Sequence, residues 1–190
     1  VTVLADAVND VLRKGILAAS ESAVLRSFVR RHGMRFGASR FVAGESFAEA
    51  VPVLRKLNDH RLLTNTTMLG EGVRDAGETR AVVDEYARVL DRIHAEGLRT
   101  NLAVKLTHLG LSLDGELAYE NVAALAAHAA RLGNFIRMDM EESQYVDPTF
   151  TVYRRLREAG IDNVGFVVQA YLYRAQRDLD ELLPLQPNLR

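Results

Sequence analysis

The chain reads as an α/β protein built on a parallel sheet, and two observations carry that reading. From about residue 58 onward, short strand-patterned runs alternate with helix-patterned segments roughly every 30 to 40 residues, the length of a strand–helix repeat. The strand-patterned runs also divide, under the period-two alternation of a strand, into one polar and one largely apolar face. The stretch FIRMDMEE, Phe135 to Glu142, shows this most clearly: Arg137, Asp139 and Glu141 fall on one side, Ile136, Met138 and Met140 on the other. In a parallel sheet covered by helices, a charged face can point only into a barrel lumen or a crevice. The expected architecture is therefore a (βα)8, TIM-like barrel, of which these residues hold N-terminal helices and about the first four βα units. A doubly wound open sheet is the competing fold, but it would need both strand faces apolar.

Taken in order, the first 57 residues read as a helical segment. Leu4, Ala7, Val8, Val11, Leu12 and Leu17 recur at helical spacing, and a second helix from about Glu21 carries Val24, Leu25, Phe28 and Val29 before Gly33. Phe47, Ala50, Val51, Leu54 and Leu57 give another, with Pro52 in its early turns, where proline is tolerated. Residues 58–190 then read as the first half of a barrel. The first strand is RLLTNTT, followed by a helix with Val82, Val83, Tyr86, Val89, Leu90 and Ile93 that Gly97 ends. The second is NLAVKLT, with a helix from about Tyr119 to Leu132 ended by Gly133. FIRMDMEE is the third, and its helix is expected to open at Asp147–Pro148, a capping residue before proline at the first helical position, and to close at Gly160. VGFVVQAY is the fourth, a short helix follows over Arg174 to Leu183, and the final residues read as the start of a fifth strand.

Composition bounds the function. With 48% apolar and 26% charged residues the chain suits one soluble globular domain. A net charge of -1 gives no basic surface for nucleic acid. The absence of cysteine removes disulfides, thiolate metal sites and a cysteine nucleophile, and the longest apolar runs, such as VGFVV, are far too short to cross a bilayer. The opening Val1–Thr2, in place of Met, is what a cropped sequence would show.

The polar strand face collects Asn65 and Thr67, then Asn101, Lys105 and Thr107, then Arg137, Asp139 and Glu141, then Gln169 and Tyr171. In a βα barrel the C-terminal strand ends, where these residues concentrate, carry the active site. Lys105, mid-strand among apolar residues, must be paired or lose its proton; an ion pair with Asp139 and a Schiff-base lysine are both open on pattern alone. Asp139 and Glu141 lack a histidine on the same face, so no metal site is expected. Gln169 could satisfy backbone or read a ligand. His94 and His128 fall in helices, which leaves His108 as the histidine near the site, and FGASRFVAG lacks the preceding strand that a dinucleotide fingerprint needs.

Several segments together resemble the bacterial proline dehydrogenase family: MLGE at Met68 to Glu71, NLAVKLTHLGL at Asn101 to Leu111, IRMDMEE from Ile136, GFVVQAYLYR at Gly165 to Arg174, and the terminal NLR. The resemblance implies a distorted βα barrel with noncovalent FAD at its C-terminal strand ends. It implies Lys105 as the partner of the substrate carboxylate, Asp139 as the catalytic-site aspartate, Met140 and Gln169 as flavin contacts, and Arg190 as the arginine beside the flavin, with both a cofactor-binding and a catalytic role. The implied reaction is oxidation of L-proline to 1-pyrroline-5-carboxylate, with a membrane quinone as electron acceptor and no nucleic-acid partner. The implied location is the cytoplasm, with peripheral association at the inner face of the membrane as a further expectation. Thr67 stands where family members usually carry Asp. The family's later elements, including paired arginines that complete the carboxylate clamp, are not among these residues, so the expectation is an N-terminal portion that is inactive alone. A noncatalytic half-barrel and a Lys-dependent aldolase-type barrel are the alternative readings.

Overall fold

The computed structural model describes residue 22, residues 40–70 and residues 72–190. The two helices expected before residue 34 lie outside the described residues. The chain divides into two compact units, residues 1–53 and 54–190, with helix α1 (Phe47–Asp59) running across the junction. The site lies in the second unit.

That unit alternates strand and helix in chain order: β1 (Thr64–Thr66), α2 (Ala76–Ala95), β2 (Thr100–Lys105), α3 (Gly115–Arg131), β3 (Ile136–Asp139), α4 (Val146–Glu158), β4 (Val164–Phe166), α5 (Ala175–Leu182) and β5 (Asn188–Leu189). All neighbouring strands pair in parallel, in the order β1-β2-β3-β4-β5. A doubly wound sheet would reverse its strand order at a switch point; among the described strands none does. The α/β fold with barrel-type order expected from the alternation is thus present.

The helices form where their ends can be satisfied. Asp75 caps α2 by accepting the Glu78 amide at 2.9 Å, and Asp114 caps α3 by accepting the Glu116 amide at 2.9 Å. Gly97 and Gly133 follow these helices at φ +62 and +65, in the left-handed conformation that glycine takes without strain. The faces turned to the sheet bury Tyr86, Leu90 and Ile93 from α2, Val122, Leu125 and Ala129 from α3, and Phe150, Tyr153 and Leu156 from α4. On the strands, Leu102 and Val104, Ile136 and Met138, and Val164 and Phe166 are fully or almost fully buried against them. Phe166 anchors this layer edge-on against Tyr153 at 4.6 Å and Phe150 at 5.4 Å between ring centres; truncating it to Ala would cost about 3–5 kcal/mol.

The strands are shorter than the alternation suggests. Arg61 takes φ +62 and Asn58 holds the Leu62 carbonyl at 2.9 Å, so the chain turns before β1 can begin. The helix after β3 also opens differently. Val146 is its first residue, Tyr145 stands at the cap without a side-chain bond, and a 3-10 turn over Ser143–Tyr145 leads in. Asp147 is therefore not the cap. Its carboxylate pairs with Arg174, at 3.2 Å for Nη1 and closer for Nη2, and ties the start of α4 to the connection after β4.

Candidate active site

The register places the polar residues on common rungs: Ala103 beside Arg137 and Lys105 beside Asp139 across β2 and β3, and Arg137 beside Gly165 across β3 and β4. Arg190, just past β5, extends the ladder, because its amide donates to the Phe166 carbonyl at 3.2 Å and its carbonyl accepts from Val168 at 3.0 Å.

Two arginines cross the polar face. Arg137 donates from Nη1 to the Asn188 carbonyl at 2.7 Å and from Nη2 to the Asn188 side chain at 2.5 Å, and its guanidinium sits 4.9 Å from the centre of the Phe135 ring. Burial first, then the positive charge of Arg190, lowers its pKa from the ordinary arginine value. Arg190 reaches further: its Nη2 donates to Asp139 Oδ1 at 2.8 Å, and its Nη1 lies 3.2 Å from the Asn65 amide, oriented with its oxygen accepting. Asn65 belongs to β1 and Arg190 follows β5, four strand steps away. In a flat sheet that separation would be about 19 Å, beyond the reach of one side chain. The sheet must curl toward its polar face to bring them together, as in a barrel. Lys105, Arg137 and Arg190 against Asp139 and Glu141 leave this cluster with one more cation than carboxylates, a balance suited to an anionic ligand.

Beyond the strand ends lies a cavity of about 730 Å³, walled by the β3–α4 connection with Met140, Glu141 and Tyr145 and by the β4–α5 connection with Gln169, Tyr171 and Leu172. The expected site residues therefore fall into two neighbouring groups: Lys105, Asp139 and Arg190 on the sheet face, Met140 and Gln169 in the cavity wall. Strict alternation sets Met140 on the helix-covered side. It lines the cavity instead because β3 ends at Asp139 and the chain leaves the sheet there.

Glu141 links the two groups. Its carboxylate accepts the Thr107 amide at 3.0 Å and the Thr107 hydroxyl, and its backbone carbonyl accepts from Gln169 Nε2 at 3.1 Å. His108, half-buried and edge-on to Tyr86 at 6.0 Å, has a pKa lowered chiefly by burial. The Tyr86 hydroxyl, beside Thr67 and the Lys105 backbone, makes no well-formed hydrogen bond, and burial pushes its pKa up to about 12. Sequence reading assigned no part to Arg137, Thr107 or Gly165. The signal for Thr107 was present, since it and Glu141 each follow a site residue by two positions on the same strand face. Arg137 carried the same signal, on one strand face with Asp139, and nothing local marks Gly165.

A parallel, barrel-ordered βα sheet with a cation–carboxylate cluster on its polar face is the arrangement of a βα-barrel protein. Residues 50–186 match the proline dehydrogenase family. The chain is 34% identical over 180 residues to proline dehydrogenase 1 of Bacillus subtilis, covering 95% of this chain and 59% of that protein. It is 32% identical over 187 residues to the proline dehydrogenase of Deinococcus radiodurans, covering 96% and 60% respectively. In structure it resembles proline utilization A (PutA) from Bdellovibrio bacteriovorus inactivated by N-propargylglycine, with a TM-score of 0.73 at 20% identity over 82% of this chain and 19% of that one. The chain belongs to the proline dehydrogenase family, and it spans about three fifths of the length of these curated relatives.

Proposed function

We propose that the protein is an FAD-dependent proline dehydrogenase that oxidises L-proline to 1-pyrroline-5-carboxylate. The observation that carries the reading is the Lys105–Asp139 rung with Arg190 bonded to Asp139 at 2.8 Å, a cationic cluster at the mouth of the fold that family membership leads one to expect there. Such a cluster suits an amino acid whose carboxylate needs a fixed cation and whose ring must be held in one pose.

The residues present fit the cofactor. The cavity wall offers the Met140 thioether as apolar surface, and the Gln169 amide is oriented by its bond to Glu141. Bound FAD would supply the two-electron acceptor for a hydride from the ring carbon next to nitrogen. Loss of that hydride and of the nitrogen's proton forms the C=N bond of the product. Lys105 holds the substrate carboxylate. Asp139 holds the Arg190 guanidinium on the polar face of the sheet, and Arg190 would offer a fixed positive charge to a reduced flavin. Met140 and Gln169 would hold the cofactor.

We further propose a cytoplasmic location with a membrane quinone as final acceptor, which would bring the enzyme to the inner face of the membrane. No helix among the described residues is long and apolar enough to cross a bilayer. Residues 1–190 alone are expected to be inactive, because among the described strands β1 and β5 each pair on one side only and leave two unpaired edges. The test is proline-dependent reduction of an electron-accepting dye by the full-length protein with added FAD. Turnover supports the reading. A protein that binds no flavin and reduces no dye would make it a noncatalytic relative.

A further inference from the structure

We propose that Thr107 and Glu141 form a positioning clamp that sets the substrate-binding Lys105 against the flavin-contacting Gln169, an inference that rests on the proline dehydrogenase reading. Backbone pairing of β2 with β3 ends at the Lys105–Asp139 rung. Two residues further along each chain, past the ends of both strands, the side chain of Glu141 takes over from the ladder. One carboxylate oxygen accepts the Thr107 amide at 3.0 Å and the other accepts the Thr107 hydroxyl. The same hydroxyl oxygen accepts the Gly72 amide at 3.2 Å, so its one proton and an acceptor site are both used. On the other side, the Glu141 carbonyl accepts from Gln169 Nε2 at 3.1 Å. Two residues thus join the connections that follow β1, β2, β3 and β4.

The clamp bears on Lys105 through the backbone. The Lys105 carbonyl accepts from His108 at 3.1 Å and Leu109 at 3.2 Å, closing the turn that contains Thr107. Thr107 is only 4% exposed, so its bonds to the Glu141 carboxylate are shielded from water. Freeing Thr107 loosens that turn and, with it, the aim of Lys105 at the substrate carboxylate. Gln169 is held through the Glu141 backbone and does not depend on the Thr107 hydroxyl. The clamp therefore separates two effects that a general loss of packing would merge.

The experiment uses the full-length protein. Thr107→Val keeps the shape and removes both hydroxyl bonds, whereas Thr107→Ser keeps them. T107V is expected to raise the KM for proline about tenfold, with kcat and bound flavin near wild type, and T107S to restore the wild-type KM. Wild-type KM in T107V, equal impairment in T107S, or loss of KM, flavin and melting temperature together would each overturn the clamp. A readout independent of turnover is exchange of the Thr107 amide followed by NMR, expected to be at least about tenfold faster in Glu141→Ala; unchanged exchange would overturn the proposal. A wild-type protein that does not oxidise proline would refute the activity reading, and amide exchange would still decide whether the clamp exists.

Discussion

Replacing Gly165 by alanine reverses an ordinary expectation. Gly165 does not occupy the left-handed region, and at such a position Gly→Ala normally stabilises by about 0.4–1 kcal/mol by restricting the unfolded chain. Here an added Cβ would stand 2.4 Å from the Asn188 carbonyl, 2.6 Å from Arg137 Nη1 and 2.8 Å from the Phe135 ring. The closest of these atoms is backbone, and Arg137 cannot withdraw without losing its bonds to Asn188 at 2.7 and 2.5 Å. Relief must come from β5, a two-residue exposed strand, moving off β4. Overpacking costs about 1–3 kcal/mol. A strained or lost Arg137–Asn188 pair adds about 1 kcal/mol, the lower end for a charged bond because the partner is exposed. Less the gain of roughly 0.4–1 kcal/mol in the unfolded chain, the net prediction is a loss of roughly 1–3.5 kcal/mol, which for a unit of this size lowers the melting temperature by roughly 3–13 °C. Arg190 follows β5, so its contact with Asp139 should suffer too. The assay is thermal and urea unfolding of full-length wild type, G165A, R137A and the double variant; the double variant should lose less than the sum, since removing the guanidinium makes room for the methyl. A G165A protein as stable as wild type would refute the steric reasoning.

Three further outcomes are expected. Lys105→Met should cost roughly 1.5–3 kcal/mol in kcat/KM, mostly as a higher KM for proline and with flavin content unchanged; unaltered kinetics would leave Lys105 only a strand-pairing role. Arg190→Met should shift stability by less than about 1 kcal/mol, because its ion pair is half exposed, while lowering proline turnover at least about tenfold, and a stability loss without a rate loss would contradict its place beside the flavin. Tyr86 has a folded pKa raised to about 12, so its contribution is fully present below the unfolded value near pH 10 and is lost as pH rises toward 12, by up to about 3 kcal/mol. Denaturation of wild type and Tyr86→Phe at pH 9 and about pH 11.5 checks this, since the variant should lack that part of the alkaline loss.

The parts of the fold set by periodicity were legible in the sequence; those set by distant contacts were not. Alternation in FIRMDMEE put Arg137 and Asp139 on the inner face, and the strand–helix rhythm gave the parallel order, because both are local consequences of which side of a strand is covered. Where each strand stops is a tertiary matter. β3 ends at Asp139 because Glu141 turns to hold Thr107, 34 residues away, and that freed Met140 from the side alternation assigned it. Asp147–Pro148 carried the signature of a helix start, yet Arg174, 27 residues on, takes the Asp147 carboxylate for a bond between connections. The partners of Arg190 were unreadable for the same reason: 51 residues separate it from Asp139, and only the curl of the sheet brings it near Asn65. Gly165 looks like any glycine in a strand until Arg137 and Asn188 are seen to fill the space a side chain would need.

The most direct test of a flavin-dependent proline dehydrogenase is anaerobic titration of the purified full-length protein with L-proline while its visible absorption is followed. The protein should be yellow, or become so on incubation with FAD, and proline should bleach the flavin bands in proportion to the enzyme present, with Lys105→Met requiring higher proline concentrations. A colourless protein that cannot be reconstituted, or a bound flavin that proline leaves oxidised, would contradict the assignment of both cofactor and substrate.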